Sequence, residues 1–495
     1  GSMATRDYNY REALTPQDSS ESIFSKEGIT TGETYHYAEP FLTAGHAEST
    51  ESGAYFARLR HERILNGQYC VSGHSSSPHL APGQVLETDG ALPDAVREGI
   101  VITTVRTSGS RKSRFTMTFE GIPYSETVCW RPALLNRPVI SGSLPARVES
   151  TQKGDTYSWL DPEGRYRVKL DFDRNSTEQG YAYLWLRLAK PYAGDTYGFH
   201  SPLLDGTEVA VVFDGGDPDR PYIAYALHDS EHPDHVTSEN HTRNVWRTPA
   251  NNKLRMEDKR GEEHIKLSTE YGGKTQLNLG HNVNAQRELR GEGAELRTDK
   301  WVSIRGGAGV FISADKQPSA GDRMLAMEEA IAQLENALGI AKSLASAAES
   351  AQALPSDTGN QQTLNDALKE LAQPGIVLNA PQGVSISSPQ AVRLSSGSAS
   401  VGIVSQQNTD ISALKRFTVA AGEAVSLLAR KAGMKLFAAK GKIEIQAQDD
   451  ALEATAKKDI TVTSVEGRVE ITAAEELVVN CAGAYIRLSG GNIEL

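Results

Sequence analysis

Cysteine is scarce in this chain: 495 residues contain three, Cys70, Cys129 and Cys481. Scattered and odd in number, they rule out a disulfide framework and fit folding in a reducing cytoplasm. Positive charge is also in deficit, with 51 Lys and Arg against 63 Asp and Glu, a formal net charge of −12. An acidic surface argues against nucleic acid as a partner, because phosphate binding needs a basic face. No run of eighteen apolar residues exists, which excludes a membrane-spanning helix. A secretion signal is missing as well: Gly1-Ser2-Met3 (1–3) has the look of a cloning scar followed by a polar stretch. If the protein leaves the cytoplasm of its producing cell, it does so through a machine that needs no cleaved signal.

The usual marks of catalysis are absent too. His61-Glu62 fails the zinc-protease pattern because Leu65 stands where a second histidine is needed. Gly73-His74-Ser75 completes no nucleophile elbow, and Gly306-Gly307-Ala308-Gly309 lacks the Lys-Ser/Thr of a phosphate loop. Arg58, His61 and Glu62 share one face of a helix expected over 48–65, where a solvated face or a contact between copies explains them better than chemistry. Asp171 and Asp173 could pair as acid and base, but outward charges on a barrel strand explain them more simply. His228, His232 and His235 lie beside Asp229, Glu231 and Asp234, a set able to bind zinc. Their spacing matches no established finger or helix pattern, so they read as an exposed polar linker, as His241 and His264 read as isolated positions. No catalytic, cofactor or metal residue is assigned.

What the chain does have is a rhythm. From Ile376/Leu378 to Ile493/Leu495 apolar pairs spaced i, i+2 recur every eight or nine residues, with one long gap between Ile403 and Phe417. Each pair points to one face of a short strand, and turn formers such as Lys440-Gly441 and Glu466-Gly467 separate the strands. A near-fixed period marks a solenoid or fibre. Two aliphatic side chains per rung contribute roughly 1.5–3 kcal/mol each. Ordering eight or nine backbone residues costs about 1–2 kcal/mol apiece. A lone ribbon therefore fails. It must coil on itself, three rungs per turn, or share a core with two more copies. Small and medium inward residues suit a narrow threefold axis, and place Ile443, Ile445, Ile460, Val462, Val469, Ile471, Ile486 and Leu488 in a trimer core.

Upstream, Met324, Met327, Ile331, Leu334 and Leu338 continue into Ala341, Ala345 and Ala348 with 3-4-3-4 spacing. This is either a coiled-coil seam between chains or an amphipathic helix packed on its own chain. With a second short helix carrying Leu364, Leu368 and Leu371 it makes a helical hairpin over 316–374, inserted into the fibre. Residues 138–232 read as an OB-type barrel of five strands, 142–148, 166–172, 182–188, 208–213 and 222–227. Residues 4–137 mix one helix with strands at 85–86, 100–102 and 115–119, with 72–83 as loop and no strand start in the first dozen residues. Short alternating strands at 253–256, 264–267, 275–279 and 302–304 read as a neck and first rungs, 233–315, before the needle proper, 375–495.

The central motifs carry a resemblance. Glu163-Gly164-Arg165-Tyr166-Arg167-Val168-Lys169-Leu170-Asp171-Phe172-Asp173, Pro191-Tyr192-Ala193-Gly194-Asp195-Thr196-Tyr197-Gly198, Asp205-Gly206-Thr207-Glu208-Val209, Gly215-Gly216-Asp217-Pro218-Asp219-Arg220-Pro221 and Arg247-Thr248-Pro249-Ala250-Asn251-Asn252 follow in order. The chain resembles the VgrG family, the spike proteins of type VI secretion systems, over nearly its whole length. The resemblance implies a mainly β architecture: a phage-hub-like domain, an OB-fold barrel and an intertwined trimeric β-helix needle with the helical insertion. It implies a non-enzymatic homotrimer that punctures target cells, sits on the Hcp tube, is sharpened by a PAAR-repeat protein and carries an effector or adaptor. Such a spike is made in the cytoplasm and then secreted by the type VI apparatus.

The family's hub is longer than 4–137, so only its C-terminal part is expected here, which leaves Hcp docking open. No lysozyme-like domain of the phage homologue fits between barrel and needle. The chain also stops in mid-rung, so both ends read as truncated. The tip residues Ile486, Leu488, Asn492, Ile493 and Leu495 are then a docking surface for a partner. The competing reading is a hydrolase of cell-envelope polymer, as a spike fragment or a single-chain β-helix.

Overall fold

The computed structural model describes residues 1–22, 31–37 and 53–495, which fall into two compact units, 1–302 and 303–495. The first unit opens on a strand, β1 (Ser2–Asp7), central in a three-stranded sheet between antiparallel β2 (Gln17–Glu21) and parallel β3 (Glu33–Tyr37). Strand alternation turns Met3, Thr5 and Asp7 inward and buries them. This corrects the expectation of no early strand and gives Ser2 and Met3 of the supposed scar a place in the sheet. Helix α1 (Gly53–Asn66) packs against β1 and β2; positions 48–52 of the expected helix lie outside the described residues.

A second antiparallel sheet, ordered β4-β7-β6-β5, joins β4 (Val71–Ser75), β5 (Val85–Leu86), β6 (Ile100–Ser110) and β7 (Ser113–Pro123). Its core is Val96, Ile100, Ile102 and Phe119. Residues 72–75, expected as loop, form β4. Its Gly73 lies under the Phe119 ring, where a Cβ would sit 2.4 Å from a ring carbon. A strand interrupted by glycine and histidine loses its periodic signature but gains close packing.

The barrel runs β8 (Ser143–Val148), β9 (Tyr166–Leu170), β10 (Trp185–Leu186), β11 (Glu208–Phe213) and β12 (Pro221–Leu227), in spatial order β10-β9-β8-β11-β12. A bridge between Leu188 and Ile223 brings the two edges together, with Ile223 N donating to Arg187 O and Ala189 N donating to Ile223 O, both at 2.8 Å. Inside lie Tyr166, Val168, Leu170, Leu186, Val209, Val211 and Ile223.

Strands β13 (Arg243–Arg247), β14 (Lys253–Glu257), β15 (His264–Ser268), β16 (Gln276–Val283) and β17 (Leu289–Arg297) make an antiparallel meander in chain order. The expected first rungs are therefore hairpins of a single chain. Short connections at Gly261 and Gly272-Gly273, all at positive φ, fold each strand back on its predecessor.

In the second unit, β18 (Val310–Ser313) and β19 (Ile376–Asn379) pair in parallel, Val310 beside Ile376. The chain between them forms helices α2 (Glu328–Ser350) and α3 (Thr358–Leu368). Met327, Ala330 and Val377 form its buried centre, with Phe311, Ile331, Leu368 and Leu371 around them. Beyond β19, residues 380–475 pair with no strand of the described residues, and bends recur every eight or nine residues, from 381–382 to 474–475. The gap after Ile403 proves regular: bends at 406–407 and 414–415 bracket a rung holding Ile411. The chain ends in a three-stranded meander, β20 (Glu476–Cys481), β21 (Ala484–Ser489) and β22 (Asn492–Glu494).

Candidate functional site

The motifs that carry the resemblance resolve into joints. Gly164 at φ +73° closes a turn in which Asp161 accepts the backbone N–H groups of Glu163 and Arg165 at 3.0 and 2.8 Å. The Asp161–Arg165 ion pair, 2.6 Å, is buried on both sides, and Arg165 also donates to the Tyr10 hydroxyl at 3.0 Å. Burial would raise the Asp161 carboxyl, but hydrogen bonds from the Arg165 backbone and guanidinium outweigh it and hold it low. Arg220 makes the matching bond to buried Asp7, 2.6 Å. Both arginines thus tie the barrel to the first dozen residues. Asp205 accepts from Ser150 N at 2.8 Å, Gly154 N at 2.7 Å and Gln179 Nε2 at 3.1 Å, stitching the loops at the end of β8. Asp173 accepts from Asn175 N at 2.9 Å, a local turn contact.

The helix face read as solvated is not so. His61 and Glu62 are buried. Glu62 accepts from Arg58 Nε at 3.2 Å and Arg131 Nε at 2.5 Å, while Asn66 accepts from Arg131 N at 2.7 Å and Arg63 donates to Pro132 O at 3.1 Å. Helix α1 clamps the segment leading into the barrel. The loop after β12 brings His228, Asp234 and His235 within 4.8 Å of one another, whereas the His232 ring lies 3.1 Å from Asp229.

Two surfaces stand out by inverted polarity. On the β13–β17 sheet the polar face is buried: Glu257, His264, Ser268, Gln276 and Asn278. The apolar face is open. Trp246, Leu254, Leu267, Leu277 and Leu296 form one cross-strand row, and Met256, Ile265 and Leu279 a second. All but Leu254 are exposed. Three of the strands expected as rungs, 253–256, 264–267 and 275–279, carry this signal of apolar members at i, i+2, whereas the fourth, 302–304, forms no strand.

The second surface is the repeat. Ile443, Ile445, Ile460, Val462, Val469 and Ile471 are 53–74% exposed within one chain. Ile486 and Leu488 instead sit in β21, opposite Val479 and Leu477 of β20, and Leu488 meets Ile493 of β22. These last rungs pair within the chain because Ala482-Gly483 and Gly490-Gly491 form two-residue turns at positive φ, the hairpin geometry. Of the tip set, Asn492 and Ile493 lie in β22 and Leu495 follows it, all exposed.

The helical seam divides. A turn from Arg323 to Ala326 precedes α2, so Met324 is exposed outside the helix and Met327 is its N-cap position. Ile331, Leu334 and Leu338 lie on α2, whose neighbours are α3 and β19 of the same chain. Asn365 donates to Leu334 O at 2.8 Å and Lys342 to Gln362 at 2.8 Å. Within one chain, then, this stretch of the seam packs in the helical hairpin.

Comparison with known families follows this order of elements. Residues 1–113 match the phage tail baseplate hub, 152–228 the type VI secretion system/phage-baseplate injector OB domain, and 243–348 the type VI secretion system Rhs element Vgr. Residues 363–495 match a family of uncharacterised proteins conserved in bacteria. The type VI secretion system spike protein VgrG2b of Pseudomonas aeruginosa is 30% identical over 397 residues, 75% of this chain and 38% of that protein. The matched region is thus about two fifths of the length of VgrG2b and of VgrG2a from the same organism. A solved VgrG spike from the type VI secretion system is 63% identical, with a TM-score of 0.50, over 51% of this chain and 96% of that one. A second solved structure, the Tle1 effector bound to the VgrG spike, matches with the same identity and TM-score over 51% of this chain and 78% of that one. The chain belongs to the VgrG family of type VI secretion spike proteins.

Proposed function

We propose that this chain is the structural, non-enzymatic body of a puncturing spike, working as a homotrimer whose needle is wound from three copies over 380–475. The carrying observation is the run of apolar pairs between 380 and 475: evenly spaced and exposed in one chain, with no strand pairing there. Leaving six such side chains in water forgoes roughly 9–18 kcal/mol at 1.5–3 kcal/mol each, and the repeat holds many more. Three copies around one axis would cover them level by level. The open apolar face of β13–β17 supports the same assembly. An intertwined prism has no free edges and no chain that opens alone, so it unfolds slowly enough to be pushed through an envelope.

Such a spike starts in the cytoplasm and leaves through the type VI apparatus, seated on the Hcp tube, tipped by a PAAR-repeat protein and loaded with an effector or adaptor. Likeness to an effector-bound VgrG supports the last of these. The test is mass. One chain is 53.5 kDa, so a trimer is three times that, 160.5 kDa. Mass photometry should give a single species near the trimer value, stable on dilution. A monomer, or turnover of peptidoglycan or polysaccharide by the purified protein, would overturn the proposal in favour of the hydrolase reading.

A further inference from the structure

We infer that the loop leaving the barrel is a binding site for a divalent transition metal of the Zn2+, Ni2+ or Co2+ class, held by His228 Nε2, Asp234 and His235. The three ligand atoms lie within 4.8 Å of one another. Asp234 Oδ1 is 3.7 Å from His228 Nε2 and 3.6 Å from His235 Nδ1. Those separations are too long for hydrogen bonds. They are close to the edge of a tetrahedron about a metal, about 3.3–3.4 Å for bonds of about 2.0–2.1 Å.

The donors are preset. His228 Nδ1 is 2.9 Å from the His232 carbonyl oxygen, which can only accept, so Nδ1 carries the proton and Nε2 keeps its lone pair. The loop that supplies this carbonyl is stiff. Asp229 and His232 exchange backbone hydrogen bonds at 3.2 Å, Asp229 Oδ1 accepts from Glu231 N and His232 N, and Arg147 on β8 anchors Asp229 Oδ2 at 2.6 Å. Pro233 then fixes the backbone before Asp234, and Val236 N donates to Asp234 Oδ1 at 2.9 Å. Three protein ligands leave a fourth position to water or to a donor on a partner. The metal would brace the exit of the barrel against the linker that follows. The geometry comes from a turn and not from a finger-like spacing.

The test uses this 495-residue chain without a tag, titrated with Zn2+ by calorimetry and with Co2+ by visible absorption. One metal per chain is expected, with the intense d–d bands of tetrahedral Co2+. His228→Ala, His235→Ala and Asp234→Asn should each weaken binding at least tenfold. His232→Ala should leave it within about twofold, because only its backbone carbonyl serves the site. Circular dichroism confirms that the variants fold. Equal losses in all three histidine variants would mean loose imidazole chelation and overturn the site. So would Co2+ spectra of octahedral form, or no binding at tens of micromolar metal.

Discussion

At the scale of single residues, the side chains that look chemical are fastening. Burial alone would raise the Glu62 carboxyl, but the Arg131 and Arg58 guanidiniums donate to it and hold it below its ordinary 4.5. A carboxylate with a depressed pKa stabilises the fold above its unfolded value, and the contribution is lost as pH falls through the folded one. Glu62→Gln should cost about 1.5–3 kcal/mol, the range for a hydrogen bond to a charged group, read as a lower urea midpoint. That cost should vanish in acid, where the wild-type carboxyl is protonated. Lys266 has the opposite sign. Burial, then the nearby Lys274, Arg255 and Lys253 charges, lower it to about 8. The folded state favours the neutral amine, so the penalty is full below pH 8 and relieved as pH rises towards 10.5. The melting temperature of wild type should gain on Lys266→Met between pH 8 and 10; a constant difference across that window would refute the assignment.

At the scale of elements, turns decide which strands belong to one chain. Gly483 sits at φ +93° between Cys481 and Ala484, which pair across the β20–β21 turn. A β-branched side chain there costs roughly 1–2 kcal/mol. Gly483→Val should loosen this hairpin alone, seen as faster amide exchange over 476–489 with 380–475 unchanged. The same reasoning explains what was legible in the sequence. The barrel strands were readable because Tyr166–Leu170 and Glu208–Phe213 bury alternate or continuous apolar residues around a closed core. The helical insertion was readable from its 3-4 spacing, though that spacing could not say whether the partner was another chain or α3. Strand β4 was hidden because Gly73 and His74 replace the apolar alternation with a close approach to Phe119. In the β13–β17 meander and the terminal hairpins the pairing partner was not legible, because an i, i+2 pair looks the same whether its neighbour is the next strand or another copy. At the terminal hairpins only the two-residue turns Ala482-Gly483 and Gly490-Gly491 distinguish the two. The histidine loop shows in the sequence as a zinc-capable set, but which members converge does not, because a turn gathers the donors and no linear spacing encodes that.

At the scale of the whole molecule, the unresolved balance is the exposed repeat, and one residue step along a strand tests where it points. Ile460 and Val462 face one way and Thr461 the other. All three are exposed in the single chain, so a monomer would tolerate aspartate at each about equally. In a threefold prism Val462→Asp puts three carboxylates at one level of a dry axis. Each costs several kcal/mol without a partner, and their mutual repulsion adds to it. Thr461→Asp leaves its charges in water, where outward pairs such as Arg468–Glu470 already sit and contribute little. The expected result is a Thr461→Asp protein that keeps the trimer mass and wild-type resistance to heating in detergent. Val462→Asp should dissociate, or keep a trimer whose needle melts and is cut by protease between 450 and 475. Equal behaviour of the two variants would mean that the apolar pairs do not meet around an axis, and the needle would have to be rebuilt as a ribbon that some other surface covers.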